Sequence, residues 1–142
     1  MRFWDTSALV ALVVAERATV EVERWLREDP EVVVWTLTRV ELLSALARRR
    51  RVEPVATRRL LAARREILSA WRRWSEVTAV ETVRRYAERI VEIHPVRAAD
   101  ALQLGAALVA AEGDPATLEF VTLDRQQAIA AEREGFHVLS AD

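Results

Sequence analysis

Residues 32–41 read Val-Val-Val-Trp-Thr-Leu-Thr-Arg-Val-Glu and give the clearest signal of secondary structure in the chain. Its first part, Val32–Trp35, is a continuous apolar run rich in β-branched residues, which is typical of a parallel strand buried on both faces. Its last part places Thr38 three residues before Glu41, and this spacing predicts a capping box at the start of a helix that continues to about Arg51. The sequence therefore predicts a buried strand that passes directly into a helix.

The same alternation of strand and helix runs through the rest of the chain. Further strands are predicted over 2–4, 76–80, 119–123 and 137–139, and further helices over 7–28 (one or two), 54–74, 81–92, 96–111 and 125–134. This alternation favours an α/β fold with a parallel sheet covered by helices on both faces. Because the 142 residues contain no linker and no internal repeat, we predict a single domain over 1–142.

The composition excludes several classes of protein. The chain has no cysteine, which rules out disulfides and thiolate metal sites and fits a reducing cytoplasm. We expect a cytoplasmic protein, since the sequence shows no signal peptide and no apolar run long enough to span a membrane. The net charge of −1 gives no overall attraction to nucleic acid. The arginine runs at 48–51, 64–65 and 72–73 are interpreted as a solvated face in preference to a binding patch.

Four carboxylates stand where helices are predicted to begin. Asp5, Glu41 and Asp124 each follow a predicted strand, and Asp100 lies in the first turn of the most apolar helix. Because ligands bind outside the carboxyl ends of parallel strands, these positions predict that the four side chains come near one another. Helix capping or the helix dipole explains each acid taken alone. Asp100 fits that explanation least well, because the segment Ala98–Leu102 reads as buried nearly all round.

Carboxylates that converge in this way favour a metal ion. Two of them about 4 Å apart repel by about 4 kcal/mol at an effective dielectric constant near 20. A divalent cation removes that penalty, and a set of oxygen ligands without cysteine favours Mg²⁺ or Mn²⁺ over Zn²⁺. Such an ion activates water and stabilises charge on a leaving oxygen, which is the chemistry of phosphodiester hydrolysis. The two histidines, His94 and His137, are interpreted as structural.

Four segments resemble, in chain order, the motifs of PIN-domain nucleases. They are Phe3–Leu9, Thr38–Glu41, Arg97–Gln103, and Val121–Asp124 with the later pair Gly135-Phe136. The resemblance covers almost the whole chain, and Arg97–Gln103 is its most specific part. It implies a three-layer α/β/α PIN-like fold with a mostly parallel sheet of roughly four to five strands. Within the family the chain is most similar to the VapC-type toxins of bacterial and archaeal toxin–antitoxin pairs.

The resemblance also implies a set of site residues. The catalytic pocket would consist of four carboxylates and one serine: Asp5, Ser7, Glu41, Asp100 and Asp124. Asp5 and Asp100 would be the principal ligands of Mg²⁺, with Mn²⁺ as a substitute. Ser7 would hold Asp5 or a bound water by hydrogen bonding. Asp124 would either contact the metal or hold a water, so its role stays open.

The same resemblance implies what the protein does and with what it associates. It implies a metal-dependent endoribonuclease that cleaves RNA, forms a homodimer and is blocked by a cognate antitoxin protein. We expect no association with a membrane, because the sequence has no apolar run long enough to span one. Thr122 and Arg97 would lie around the metal ligands. Two other interpretations remain, a catalytically idle PIN fold that serves as a binding or regulatory module and a metal-dependent phosphatase acting on small substrates. The presence of all four acids argues against the idle module.

Overall fold

The computed structural model describes residues 1–141 of the chain. Its helices and strands follow one another as β1 (Arg2–Trp4), α1 (Thr6–Val13), α2 (Thr19–Glu28), β2 (Val32–Trp35), α3 (Thr38–Val52), α4 (Thr57–Trp71), β3 (Ser75–Val77), α5 (Val80–Ile93), α6 (Ala98–Ala110), β4 (Glu119–Val121), α7 (Arg125–Glu134) and β5 (His137–Leu139). The predicted third strand was placed too late, because it ends at Val77 and Val80 already belongs to α5. Between residues 1 and 141, no helix is long and apolar enough to cross a membrane.

The strands form one five-stranded sheet in the order β3-β2-β1-β4-β5, and every neighbouring pair is parallel. The predicted α/β fold with a parallel sheet is therefore confirmed. The chain builds the sheet outward from β1 through β2 to β3, and then returns to the other side of β1 for β4 and β5. The order of strands thus reverses between β1 and β4. In open parallel sheets, ligands bind at this reversal, outside the carboxyl ends of the strands.

The two faces of the sheet carry separate cores, because successive side chains of a strand point to opposite faces. Phe3 packs among α5, α6 and α7, and its ring stacks on that of Phe120 with the centroids 5.3 Å apart. Trp4 points the other way and packs among α1, α2 and residues of α3 and α4. All four residues of Val32–Trp35 are buried, as expected for a strand covered on both sides. The fold therefore has three layers, with helices on both faces of the sheet.

The beginnings of the helices show which acids act as caps. Asp5 precedes α1 and Asp124 precedes α7, and each carboxylate accepts the backbone N–H three residues further on. The capping box predicted at Thr38 is wrong, since the residue before α3 is Leu37, which makes no side-chain cap. Thr38 is fully buried, and its hydroxyl accepts a hydrogen bond from α6. Glu41 is therefore available for contacts other than capping.

Candidate active site

A cleft of about 780 Å³ opens at the carboxyl edge of the sheet, where the strand order reverses. It is lined by all five side chains that the sequence predicts as site residues: Asp5, Ser7, Glu41, Asp100 and Asp124. Asp5 follows β1 and Asp124 begins α7, while Glu41 and Asp100 lie in the first turns of α3 and α6. The topology therefore brings together acids that are up to 119 residues apart in sequence.

Asp5 is the most buried of these acids, with 4% of its surface exposed. Its Oδ1 accepts the Ser7 hydroxyl at 2.6 Å and the Ala8 N–H at 3.1 Å, and its Oδ2 accepts the Thr122 hydroxyl at 2.5 Å. Both hydroxyl oxygens in turn accept backbone N–H groups from the turn between β4 and α7. Because each hydroxyl has a single proton, Ser7 and Thr122 both donate their hydroxyl protons to Asp5 in this arrangement. The contact between Ser7 and Asp5 that the resemblance implied is thus present.

Burial raises the pKa of three of the carboxylates, and neighbouring carboxylates add to the increase. Burial raises the pKa of Asp5 to about 6, in spite of its three hydrogen bonds, and the charge of Asp124 adds to the increase. Burial also raises the pKa of Asp100, again with help from Asp124, and Arg97 only partly opposes it. Burial and the charge of Asp100 raise the pKa of Glu41. The cleft therefore concentrates negative charge that the surrounding protein does not neutralise.

A buried amide links three of the helices that form the site. Gln103 is 1% exposed, and its Nε2 donates to Thr38 at 2.7 Å, to Thr6 at 3.0 Å and to Glu41 at 3.3 Å. The Thr6 hydroxyl donates to the other carboxylate oxygen of Glu41 at 3.1 Å. Gln103 on α6 thus connects α1 and α3 and fixes Glu41. Sequence reasoning gave Gln103 no role, although an amide in an otherwise apolar helix, one turn after a candidate ligand, was a usable signal.

A second buried amide connects α7 with α6. Gln127 is fully buried, and its Nε2 donates to the backbone oxygen of Asp100 at 3.2 Å. The expectation that the chain around Asp100 is buried nearly all round is wrong, because Ala98 and Ala99 are exposed and Asp100 itself is half-buried. The groups that surround Asp100 belong to neighbouring helices and include their acids, and the periodicity of the sequence does not reveal them. Asp100 is therefore a cleft residue and not a core carboxylate.

The donor set of the cleft fits a hard divalent cation. It offers carboxylate and hydroxyl oxygens, with no thiolate or imidazole among the residues that line it. Within residues 1–141, no group of three or more Asp, Glu, His or Cys side chains is arranged to hold a metal ion. Mg²⁺ is usually bound through one or two carboxylates and keeps several waters. Asp5 and Asp100 line the same cleft, so two carboxylates are available there for such an ion.

The family model described as PIN domain matches residues 2–133. The chain belongs to the PIN domain family. This confirms the family that the four sequence motifs indicated. All four acids, Asp5, Glu41, Asp100 and Asp124, lie inside the matched region. A search of curated proteins finds no significant match.

Several solved structures share the fold of this chain. The PIN domain is similar to PAE2754 from Pyrobaculum aerophilum, with a TM-score of 0.61 and 22% identity over 98% of this chain and 82% of that one. It is also similar to the Mycobacterium tuberculosis toxin VapC20, with a TM-score of 0.64 and 21% identity over 96% of each chain. FitAcB from Neisseria gonorrhoeae gives a TM-score of 0.58 and 16% identity over 98% of this chain and 96% of that one. At these identities the likeness concerns the fold.

Proposed function

We propose that this PIN domain is a Mg²⁺-dependent endoribonuclease and the toxin component of a VapBC-type toxin–antitoxin pair. The observation that carries the proposal is the convergence of Asp5, Glu41, Asp100 and Asp124 in one cleft at the reversal of the sheet. Burial and neighbouring carboxylates raise the pKa of Asp5, Glu41 and Asp100, and this crowding of acids destabilises a protein unless a cation or a substrate uses them. The structural neighbour VapC20, which is described as a sarcin–ricin loop-cleaving toxin, supports the choice of RNA as substrate.

In the proposed reaction, Asp5 and Asp100 would hold the metal, and an ion held there would supply an activated water and stabilise charge on the leaving oxygen. Asp5 is fixed for this role by Ser7 and Thr122, whose hydroxyl protons both point at its oxygens. Asp124 uses Oδ1 to cap α7 and lines the cleft, where we propose that it holds a water. Glu41 is fixed by two donors and completes the acidic wall. The protein thus contributes positions that are set before substrate binds.

The partners in this proposal are RNA, a second copy of the chain in a homodimer and a cognate antitoxin protein in the cytoplasm. The acidic cleft supports the proposal of an antitoxin partner, because a cationic segment of that partner would neutralise the same charges that a metal ion would neutralise. Such a partner would compete with RNA for the cleft. The proposal therefore includes inhibition by direct occupation of the active site.

Cleavage of RNA should require a divalent cation. We expect the protein to cut a mixed pool of cellular RNA internally with Mg²⁺ or Mn²⁺, to stop when excess chelator is added, and to resume when Mg²⁺ is restored. Gel electrophoresis of the fragments measures this, with Asp100→Asn as the control for contaminating ribonuclease. RNA left intact in every condition would favour a binding module. Turnover of a generic phosphomonoester without RNA cleavage would favour the phosphatase.

Removal of the buried amide should weaken the site without unfolding the protein. Gln103→Met keeps the length of the side chain but loses the hydrogen bonds to Thr6, Thr38 and Glu41. Gln103 holds Glu41 in the acidic wall beside the proposed metal ligands. Since loss of polar side chains around the ligands of a metal site costs roughly 10–100-fold in activity or metal affinity, we expect a decrease near the lower end of that range. The free energy of unfolding should fall by only about 1–3 kcal/mol. We would measure cleavage kinetics, Mn²⁺ binding by titration calorimetry, and stability by urea denaturation. Cleavage rates and Mn²⁺ affinity equal to those of the wild type would contradict the proposed role of Gln103.

A further inference from the structure

The cleft continues beyond the acids along one face of α3. Glu41, Ala45, Arg48 and Val52 all line it, and their spacing of four, three and four residues places them on one side of the helix. We call Ala45, Arg48, Arg49 and Val52 the basic limb of the cleft. Arg48 follows Glu41 by seven residues, so the two positions lie about 10 Å apart along the helix axis. The cleft is thus an elongated groove with two chemically different ends.

The charges of the basic limb leave one guanidinium available. Arg49 forms an ion pair with Glu16, which also lines the cleft. Arg48 is exposed and forms no salt bridge with any residue of the described part of the chain. Glu53 lies at the far end of the limb. A planar guanidinium with free donors at the edge of a groove is suited to binding a phosphate through two hydrogen bonds.

We propose that Arg48 binds a backbone phosphate of single-stranded RNA, next to the phosphate that is cut at the acidic end. This inference rests on the proposed function and extends it to a substrate-positioning residue. A groove with a metal-binding end and a separate phosphate-binding end matches a polymer with regularly spaced charges. A small phosphomonoester has a single phosphate and would leave Arg48 without a ligand. Because the contact is to the backbone, it contributes affinity and register without base specificity.

The test measures binding apart from cleavage. A fluorescein-labelled single-stranded oligoribonucleotide of mixed sequence is titrated with protein in excess chelator, and fluorescence anisotropy is recorded at several salt concentrations. Arg48→Ala should weaken binding roughly fivefold and reduce the slope of log K against log salt by about 0.7, the value for one phosphate contact on a single strand. Arg51→Ala is the matched control, since Arg51 is an exposed arginine of the same helix that does not line the cleft.

Several results would overturn the inference. One is that Arg48→Ala binds RNA with the affinity and salt slope of the wild type. Another is that Arg51→Ala loses as much RNA affinity as Arg48→Ala. The third is that Arg48 contributes to binding of a polyglutamate peptide but not to binding of RNA. Failure of the proposed function is seen separately, as absence of chelator-sensitive RNA cleavage by the wild-type protein in Mg²⁺. The two failures are distinguishable because the binding experiment contains no metal and needs no turnover.

Discussion

Asp5→Asn should abolish RNA cleavage and leave a folded protein. The change removes one of the two proposed metal ligands while it keeps the shape of the side chain. Loss of residues that only orient a metal ligand already costs roughly 10–100-fold, so loss of the ligand itself should lower kcat/KM by more than about 100-fold. Asp100→Asn should have a comparable effect. A cleavage assay with Mg²⁺ measures both, with Glu23→Gln as the control because Glu23 is an exposed acid outside the cleft.

The hydrogen bonds around Asp5 show why the variant should fold. An asparagine oxygen can accept the Ser7 hydroxyl and the Ala8 N–H as Oδ1 does now. The new amide would donate to Thr122, whose proton can then turn to Ser7, 3.3 Å away. Each hydrogen bond of the Asp5 carboxylate thus has a counterpart in the variant, and only the second N–H of the new amide is left without one. Full activity in either aspartate variant would show that the proposed metal ligands are wrong.

The stability of the metal-free variant provides an independent readout. Burial raises the pKa of Asp5 to about 6, so the folded protein binds this proton more tightly than the unfolded chain. The resulting stabilisation is complete below about pH 4 and is lost as the pH rises through about 6, by an amount of about 3 kcal/mol. Asp5→Asn does not ionise. In chelator it should therefore unfold at a higher temperature than wild type at pH 7, and this difference should disappear near pH 4.

The elements of the sheet were predictable because their signals are local. Val32–Trp35 is apolar throughout and is buried on both faces, and Asp5 was found because it directly follows β1. The helix predicted over 125–134 ends where expected, since Gly135 follows it with a φ of 102°, in the left-handed region that glycine adopts without strain. By contrast, β3 is short and partly exposed, so its apolar pattern is weak and its end was misplaced.

The contacts within the site were not predictable, because they join parts of the chain that are far apart. The pattern Thr38-x-x-Glu41 is common to a capping box and to the observed arrangement, in which Gln103 holds both side chains from another helix. The apolar sequence around Asp100 suggested burial, but Ala98 and Ala99 at the start of α6 are exposed. Which alternative holds depends on how α6 packs, and a single sequence does not carry that information.

That packing depends on Gly105, and Gly105→Ala should be strongly destabilising. Alanine is the better helix former by about 1 kcal/mol, so the same change at an exposed helical site would stabilise the protein. At position 105, however, a Cβ would lie 2.7 Å from the backbone oxygen of Val83 and 3.4 Å from the backbone nitrogen of Ala87. Neither atom belongs to a flexible side chain. To relieve the overlap, α6 must therefore move away from α5.

We expect Gly105→Ala to lower the free energy of unfolding by about 3 kcal/mol, which corresponds to a fall in Tm of roughly 10 °C. Urea and thermal denaturation measure this, and Ala99→Gly at the exposed start of α6 is the control, with a cost of at most about 1 kcal/mol. The protein that remains folded should also cleave RNA more slowly, because α6 carries both Asp100 and Gln103. A stability equal to or above wild type would show that the two helices are not in the close contact described, and the positions of both site residues would then need revision.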